Sequence, residues 1–148
     1  MSKQNKLKKL TLPLKWHGGK NYLAPGIIEL KPPHLHYNEA YFGGGAVLLA
    51  RDPNRKWLEG AADWSNTAAQ RGCSEVVNDI NGELTNFWRV LQRDVTFQKF
   101  LRAMQAMPFS EIEWQDAMED QELKTGLTRA IKFFVRCRQS LSGRMDSF

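Results

Sequence analysis

Three short segments of this sequence carry residue types that could hold a nucleotide-like ligand. They are Lys15-Trp16-His17-Gly18-Gly19-Lys20, then Glu39-Ala40-Tyr41-Phe42-Gly43-Gly44-Gly45-Ala46-Val47, then Asn78-Asp79-Ile80-Asn81. Where a strand bends through glycines into a helix, no Cβ keeps a ligand away from the backbone, and the first amides of the helix have no partner inside it. A carboxylate at the end of the following strand can then accept hydrogen bonds from both ribose hydroxyls, as in dinucleotide and S-adenosylmethionine sites. A dinucleotide site expects that acid about 20 residues after the glycines. Asp79 lies well beyond this, so residues 53–73 are read as an insertion under either alternative. Each residue also has a plain structural role open to it. The glycines could form a flexible turn, Asp79 beside Asn78 and Asn81 could be a turn or helix-cap residue, Lys20 could be an exposed cation, and the aromatics could be core.

Taken in order, Lys15 to Lys20, Phe42-Gly43-Gly44-Gly45 and Asn78-Asp79-Ile80-Asn81-Gly82-Glu83-Leu84 resemble the amino-terminal half of the Dam-type, adenine-specific DNA methyltransferases. The resemblance covers about residues 10–92, densely at the three motifs and not across the insertion. It implies a Rossmann-like S-adenosylmethionine-dependent methyltransferase fold, α/β in class and incomplete here, followed by a mainly helical region. It also implies that Trp16, Lys20, Tyr41, Phe42, Gly43, Gly45 and Asp79 bind the cofactor and that Lys15 lies near DNA. In such a site Lys20 would pair with the methionine carboxylate and Asp79 with the ribose hydroxyls, while Trp16 or Phe42 would pack near the adenine or the sulfonium. The implied partner is double-stranded DNA, and the implied reaction is methyl transfer to the exocyclic amino group of adenine. Arg89, Arg93, Lys99, Arg102, Lys132, Arg136, Arg138 and Arg144 could contact phosphates, each adding a salt-dependent term that carries no sequence information.

One part of that chemistry has no counterpart in the sequence. The lone pair of adenine's amine is delocalised into the ring, so a flipped base needs acceptors for its amino hydrogens and an aromatic face to stack on. The family supplies these in an Asp/Asn-Pro-Pro-Tyr/Phe segment. Here Pro32-Pro33 lies between Lys31 and His34, and Asp52-Pro53 continues as Asn54. No catalytic residue is assigned, and the chain reads as a front portion, expected to be poorly stable and inactive alone because the absent strand would leave a sheet edge bare. Two other classes stay open: a noncatalytic DNA-binding remnant of the same fold, and a different Rossmann-type nucleotide-binding enzyme. A restriction system and a mobile element fit the sequence equally.

Periodicity predicts the strands and helices around these motifs. Leu10, Leu12, Leu14 and Trp16 alternate with polar residues and Pro13, predicting an extended segment at a sheet edge. Residues 22–30 read as a short helix that Lys31-Pro32-Pro33 ends, and His36 to Phe42 as a strand entering the glycine bend and a helical turn at 46–50. Glu75-Val76-Val77 predicts a brief strand. Leu84, Phe87, Trp88 and Leu91, then Phe97, Phe100, Leu101 and Met104, mark helical stripes up to Pro108. Ser110 with Glu113 has the form of a capping box, and Leu123, Leu127, Ala130, Ile131 and Phe134 mark a last helix that Ser142-Gly143 closes. The expected domains are 1–82, a partial cofactor-binding domain with the insertion, and 83–148, a helical segment leading into or forming part of the DNA-recognition region.

Composition fits this picture without proving it. The 148 residues are 42% hydrophobic and 11% aromatic, enough for a core. A net charge of +5 and a pI of about 9.4 suit a polyanionic partner but do not identify one. Lys3, Lys6, Lys8, Lys9, Lys15 and Lys20 crowd the start. Cys73 and Cys137 form no Cys-x-x-Cys pair and no secretory h-region precedes them, so reduced thiols and a cytoplasmic setting are expected. His34 and His36 have no nearby cysteine or acidic cluster, so no metal is expected, and no apolar run approaches the roughly 20 residues of a membrane span. The sequence does not set the oligomeric state.

Overall fold

The computed structural model describes residues 10–32, 34–51, 74–119 and 125–148. The insertion at 53–73, the lysines at 3–9 and Leu123 lie outside the described residues. Among the described residues the chain is mixed α/β, with six helices and a two-stranded parallel sheet. Strand β1 (His36–Glu39) pairs with β2 (Ser74–Val77). The Ser74 amide donates to the Leu35 carbonyl at 2.8 Å and the Asn78 amide to the Glu39 carbonyl at 2.9 Å. Four residues forward on one strand match four forward on the other, which defines the parallel register. All four residues of β2 are exposed, Val76 at 58%.

By spatial proximity the described residues fall into two units interleaved in sequence. The first takes in residues 10–13, 20–32, 34–38, 45–51 and 74–76; the second takes in 14–19, 39–44, 77–119 and 125–148. In the first, α1 (Ala24–Glu29) starts on Pro25, whose missing N–H costs nothing in a first turn. Its Ala24 and Ile28 bury against Tyr37 of β1 and Val47 of α2 (Ala46–Ala50). Buried Arg51 lies 4.1 Å from the Tyr37 ring centroid, and its Nη1 donates to Glu75 Oε1 at 2.9 Å, so this charge is both paired and stacked.

The second unit is helical. Helix α3 (Gly82–Gln92) and α4 (Asp94–Ala106) are separated by Arg93 in an extended conformation, and the Thr96 hydroxyl next to the break lies 2.7 Å from the Val90 carbonyl and 3.0 Å from that of Arg93. Helix α5 (Glu111–Met118) is capped by Ser110, whose Oγ accepts from the Glu113 amide. Helix α6 (Gly126–Gln139) is capped by Thr125 and followed by a single 3-10 turn at Leu141–Gly143. Its core is Leu84, Phe87 and Val90 of α3, Phe100 of α4, Ala130, Phe133 and Cys137 of α6, and Leu14. Phe87 sits at the middle, its ring 5.7 Å from Phe100 and 6.0 Å from Phe133.

The alternation at Leu10 to Trp16 gives no strand. Leu14 is buried and Trp16 packs on the same helical core, whereas Leu10 is 62% exposed, so only the end of the apolar period is buried. No helix among the described residues is long and apolar enough to cross a membrane.

Candidate functional site

Parts of the three motifs, residues 15–19, 39–44 and 78–81, fall in the second unit. Beyond Glu39 the strand pairing continues into the bend, with the Phe42 amide donating to the Asn78 carbonyl at 2.9 Å. This register sets Asp79 opposite Gly43. The Gly43 amide donates to Asp79 Oδ2 at 2.9 Å, and the Asn81 amide donates to Oδ1 at 3.0 Å. Each carboxylate oxygen thus holds one backbone donor, one across the loop and one at the start of α3. Asn81 in turn caps α3, its Oδ1 accepting from the amides of Glu83 and Leu84 at 3.0 Å each. Asp79 and Asn81 divide the work: the first ties the glycine loop to the helix, and the second finishes the helix.

Trp16 explains why the loop contains glycines. A Cβ added at Gly43 would lie 3.0 Å from Trp16 Nε1, and one added at Gly44 would lie 3.0 Å from Trp16 Cβ. Gly43 also needs its positive φ of 53°. The loop is therefore shaped to an indole of this chain, and that indole rests 6.1 Å from the Phe133 ring of α6. On its other side the loop is held by Trp88, whose Nε1–H donates to the Gly43 carbonyl at 3.2 Å. Phe42 is buried, its ring 5.2 Å from that of Trp88, so it supports the loop from behind. Tyr41, by contrast, is 78% exposed, and Ile80 beside Asp79 is 94% exposed.

Gly18 and Gly19 make the turn after Trp16. Gly18 has φ 71°, and the Gly19 amide donates to the Trp16 carbonyl at 3.0 Å, where a Cβ on Gly19 would come within 2.9 Å of that oxygen. Lys15 exposes its side chain, while its carbonyl accepts from the Cys137 thiol at 3.0 Å. Trp16, Tyr41, Phe42, Gly43, Asp79 and Lys15 thus share the second unit. Lys20 and Gly45 belong to the first. There Lys20 is exposed and its carbonyl accepts the amides of Leu23 and Ala24, and Gly45, in the left-handed region with φ 74°, precedes α2.

Of the basic residues considered for DNA, Arg89, Arg93, Lys99, Arg102, Arg138 and Arg144 are exposed. Lys132 is engaged locally, donating to the carbonyls of Asp116 at 2.8 Å and Glu119 at 3.2 Å at the end of α5. Arg129, outside that group, pairs with Glu83 at the start of α3, which raises the pKa of its guanidinium further. A groove of about 280 Å3 elsewhere in this unit, lined by Met104, Met107, Phe109, Phe134 and Arg138 among others, contains none of the motif residues.

Sequence reasoning missed Trp88, Cys137 and Gly143 as partners of the motifs. Trp88 was visible as an aromatic nine residues after Asp79 but belonged to a helical stripe, and nothing in the sequence pairs Cys137 with Lys15. No protein-family model matches the chain, and no curated protein matches it.

Proposed function

We propose that the chain is the S-adenosylmethionine-binding part of an adenine-specific DNA methyltransferase, built on a Rossmann-like fold of which β1, the glycine bend and β2 are the beginning. The observation that carries this reading is the Asp79 carboxylate bridging the Gly43 amide and the Asn81 amide, with Trp16 seated on the same glycines. Trp16, Gly43 and Asp79, from three motifs that span more than 60 residues of sequence, thus meet at one half-buried point.

The residues present fit the cofactor. A carboxylate has about four acceptor positions, so Asp79 retains two for ribose hydroxyls after its two amide bonds. Tyr41 and Ile80 leave apolar surface exposed next to the bridge for an adenine ring. In this reading Lys15 approaches DNA. Bound S-adenosylmethionine supplies an electrophilic methyl on a sulfonium. This chain's residues bind and orient that cofactor, and none of them takes the Asp-Pro-Pro-Tyr role at the target amine.

The same bonds favour a second reading, in which Asp79 is only a structural bracket for the loop. Ligand-side chemistry separates the two without disturbing the bracket. By calorimetry, S-adenosylhomocysteine should bind the wild-type chain while NAD does not, and an analogue lacking both ribose hydroxyls should bind at least about tenfold more weakly, the scale of lost charge-assisted hydrogen bonds. Equal affinity for the two nucleosides would leave the bracket alone standing, and binding of NAD would favour another nucleotide enzyme.

A further inference from the structure

The turn after α6 holds backbone conformations that side chains avoid. Ser142 has φ 57°, Gly143 72° and Met145 65°. Two of these carry a Cβ, and left-handed residues of that kind persist only where their surroundings enforce them. Here the Ser140 hydroxyl accepts the Met145 amide at 3.0 Å, and the Leu141 amide donates to the Ser147 carbonyl at 2.9 Å.

What the turn achieves is a close approach to the first motif. A Cβ on Gly143 would lie 1.9 Å from the Lys15 carbonyl oxygen, so only glycine fits. The fully buried Cys137 thiol donates to that same oxygen at 3.0 Å. Burial also keeps this thiol protonated, so the donor persists at neutral pH. The next residue along the chain is Trp16, whose indole shapes Gly43 and Gly44 and touches Phe133 of the same α6.

We propose that Cys137 and Gly143 are positioning residues for the glycine loop: by fixing the Lys15-Trp16 peptide they seat the Trp16 indole, and so set the direction of the Gly43 amide that Asp79 holds. The end of α6 thereby controls the shape of the cofactor site. The part of this inference that concerns cofactor affinity rests on the function proposed above; the part that concerns the loop does not.

The test uses the full 148-residue chain, labelled with 15N, first without ligand. Cys137→Ala removes the donor and should move both the Gly43 amide and the Trp16 indole resonances, whereas Cys137→Ser, which keeps a donor, should return them toward wild type. Gly143→Ala should move them further; if it does not fold, the Cys137 pair still decides. Unmoved Gly43 and Trp16 resonances in Cys137→Ala, or a Ser variant that behaves like Ala, would overturn the proposal. With S-adenosylmethionine added, Cys137→Ala should bind about fivefold more weakly, as expected for loss of one neutral hydrogen bond, and the Ser variant near wild type. A wild-type chain that ignores S-adenosylmethionine would refute the cofactor reading and leave the ligand-free comparison to judge the positioning.

Discussion

At the residue scale Asp79 is legible in sequence by type and position but not by geometry. An acid after a short strand announces itself in sequence, as do glycines that need φ above zero. That the acid spends two acceptor positions on Gly43 and Asn81 depends on the parallel register, which periodicity alone does not fix. Asp79→Ala should therefore lower stability by about 1–3 kcal/mol, since two backbone donors lose a charged acceptor, and chemical denaturation would show it. Unchanged stability would mean that the bridge contributes nothing in solution. Cys137 gives a second residue-level expectation. Burial raises its pKa above the ordinary 9.0, so the folded state holds the proton more tightly than the unfolded one. That stability is present in full below pH 9 and is lost as pH rises toward the folded value. Thermal melts of wild type should fall above about pH 9 more steeply than those of Cys137→Ser, whose hydroxyl does not titrate there; parallel curves would argue against a buried thiol.

At the scale of elements, helices were easier to read than the extended segment. The stripes at Leu84, Phe87 and Leu91 and at Phe97, Phe100 and Met104 lie on α3 and α4, and Ser110 caps α5 as its spacing with Glu113 predicts. Each signal is local, so each survives into the fold. Leu10 to Trp16 misled because alternation of residue types fixes neither burial nor a pairing partner: Leu10 stays exposed while Leu14 is buried. Leu14 and Trp16 do face the core, yet helices take the place of strands there. The ring at the centre of that core offers a direct check. Phe87 is fully buried among Phe100, Phe133 and Phe134, and Phe87→Ala should cost about 3–5 kcal/mol in urea unfolding. A loss below about 1 kcal/mol would contradict a packed aromatic core.

At the scale of the whole molecule, a linear reading draws one boundary near residue 82, whereas proximity groups Leu14–Gly19 and Glu39–Gly44 with the helices. The cause is visible in particular contacts, Trp16 on Phe133 and Trp88 on Gly43, which join segments dozens of residues apart. No local pattern encodes such pairings. Net charge, by contrast, is a whole-chain property that sequence states outright. With +5 and six exposed arginines and lysines among the helical candidates, the chain should bind duplex DNA weakly, with log affinity falling linearly in log salt and no methyl transferred to the DNA from labelled S-adenosylmethionine. Salt-independent binding, or detectable methylation, would count against this assignment. The central claim, that Trp16, the glycine bend and Asp79 together hold a sulfonium nucleoside, is tested most directly by titrating S-adenosylmethionine into 15N-labelled wild-type chain. Saturable shifts of the Gly43 and Asn81 amides and the Trp16 indole are the expected result. A folded chain in which those three signals stay fixed, while others move or none do, would contradict it.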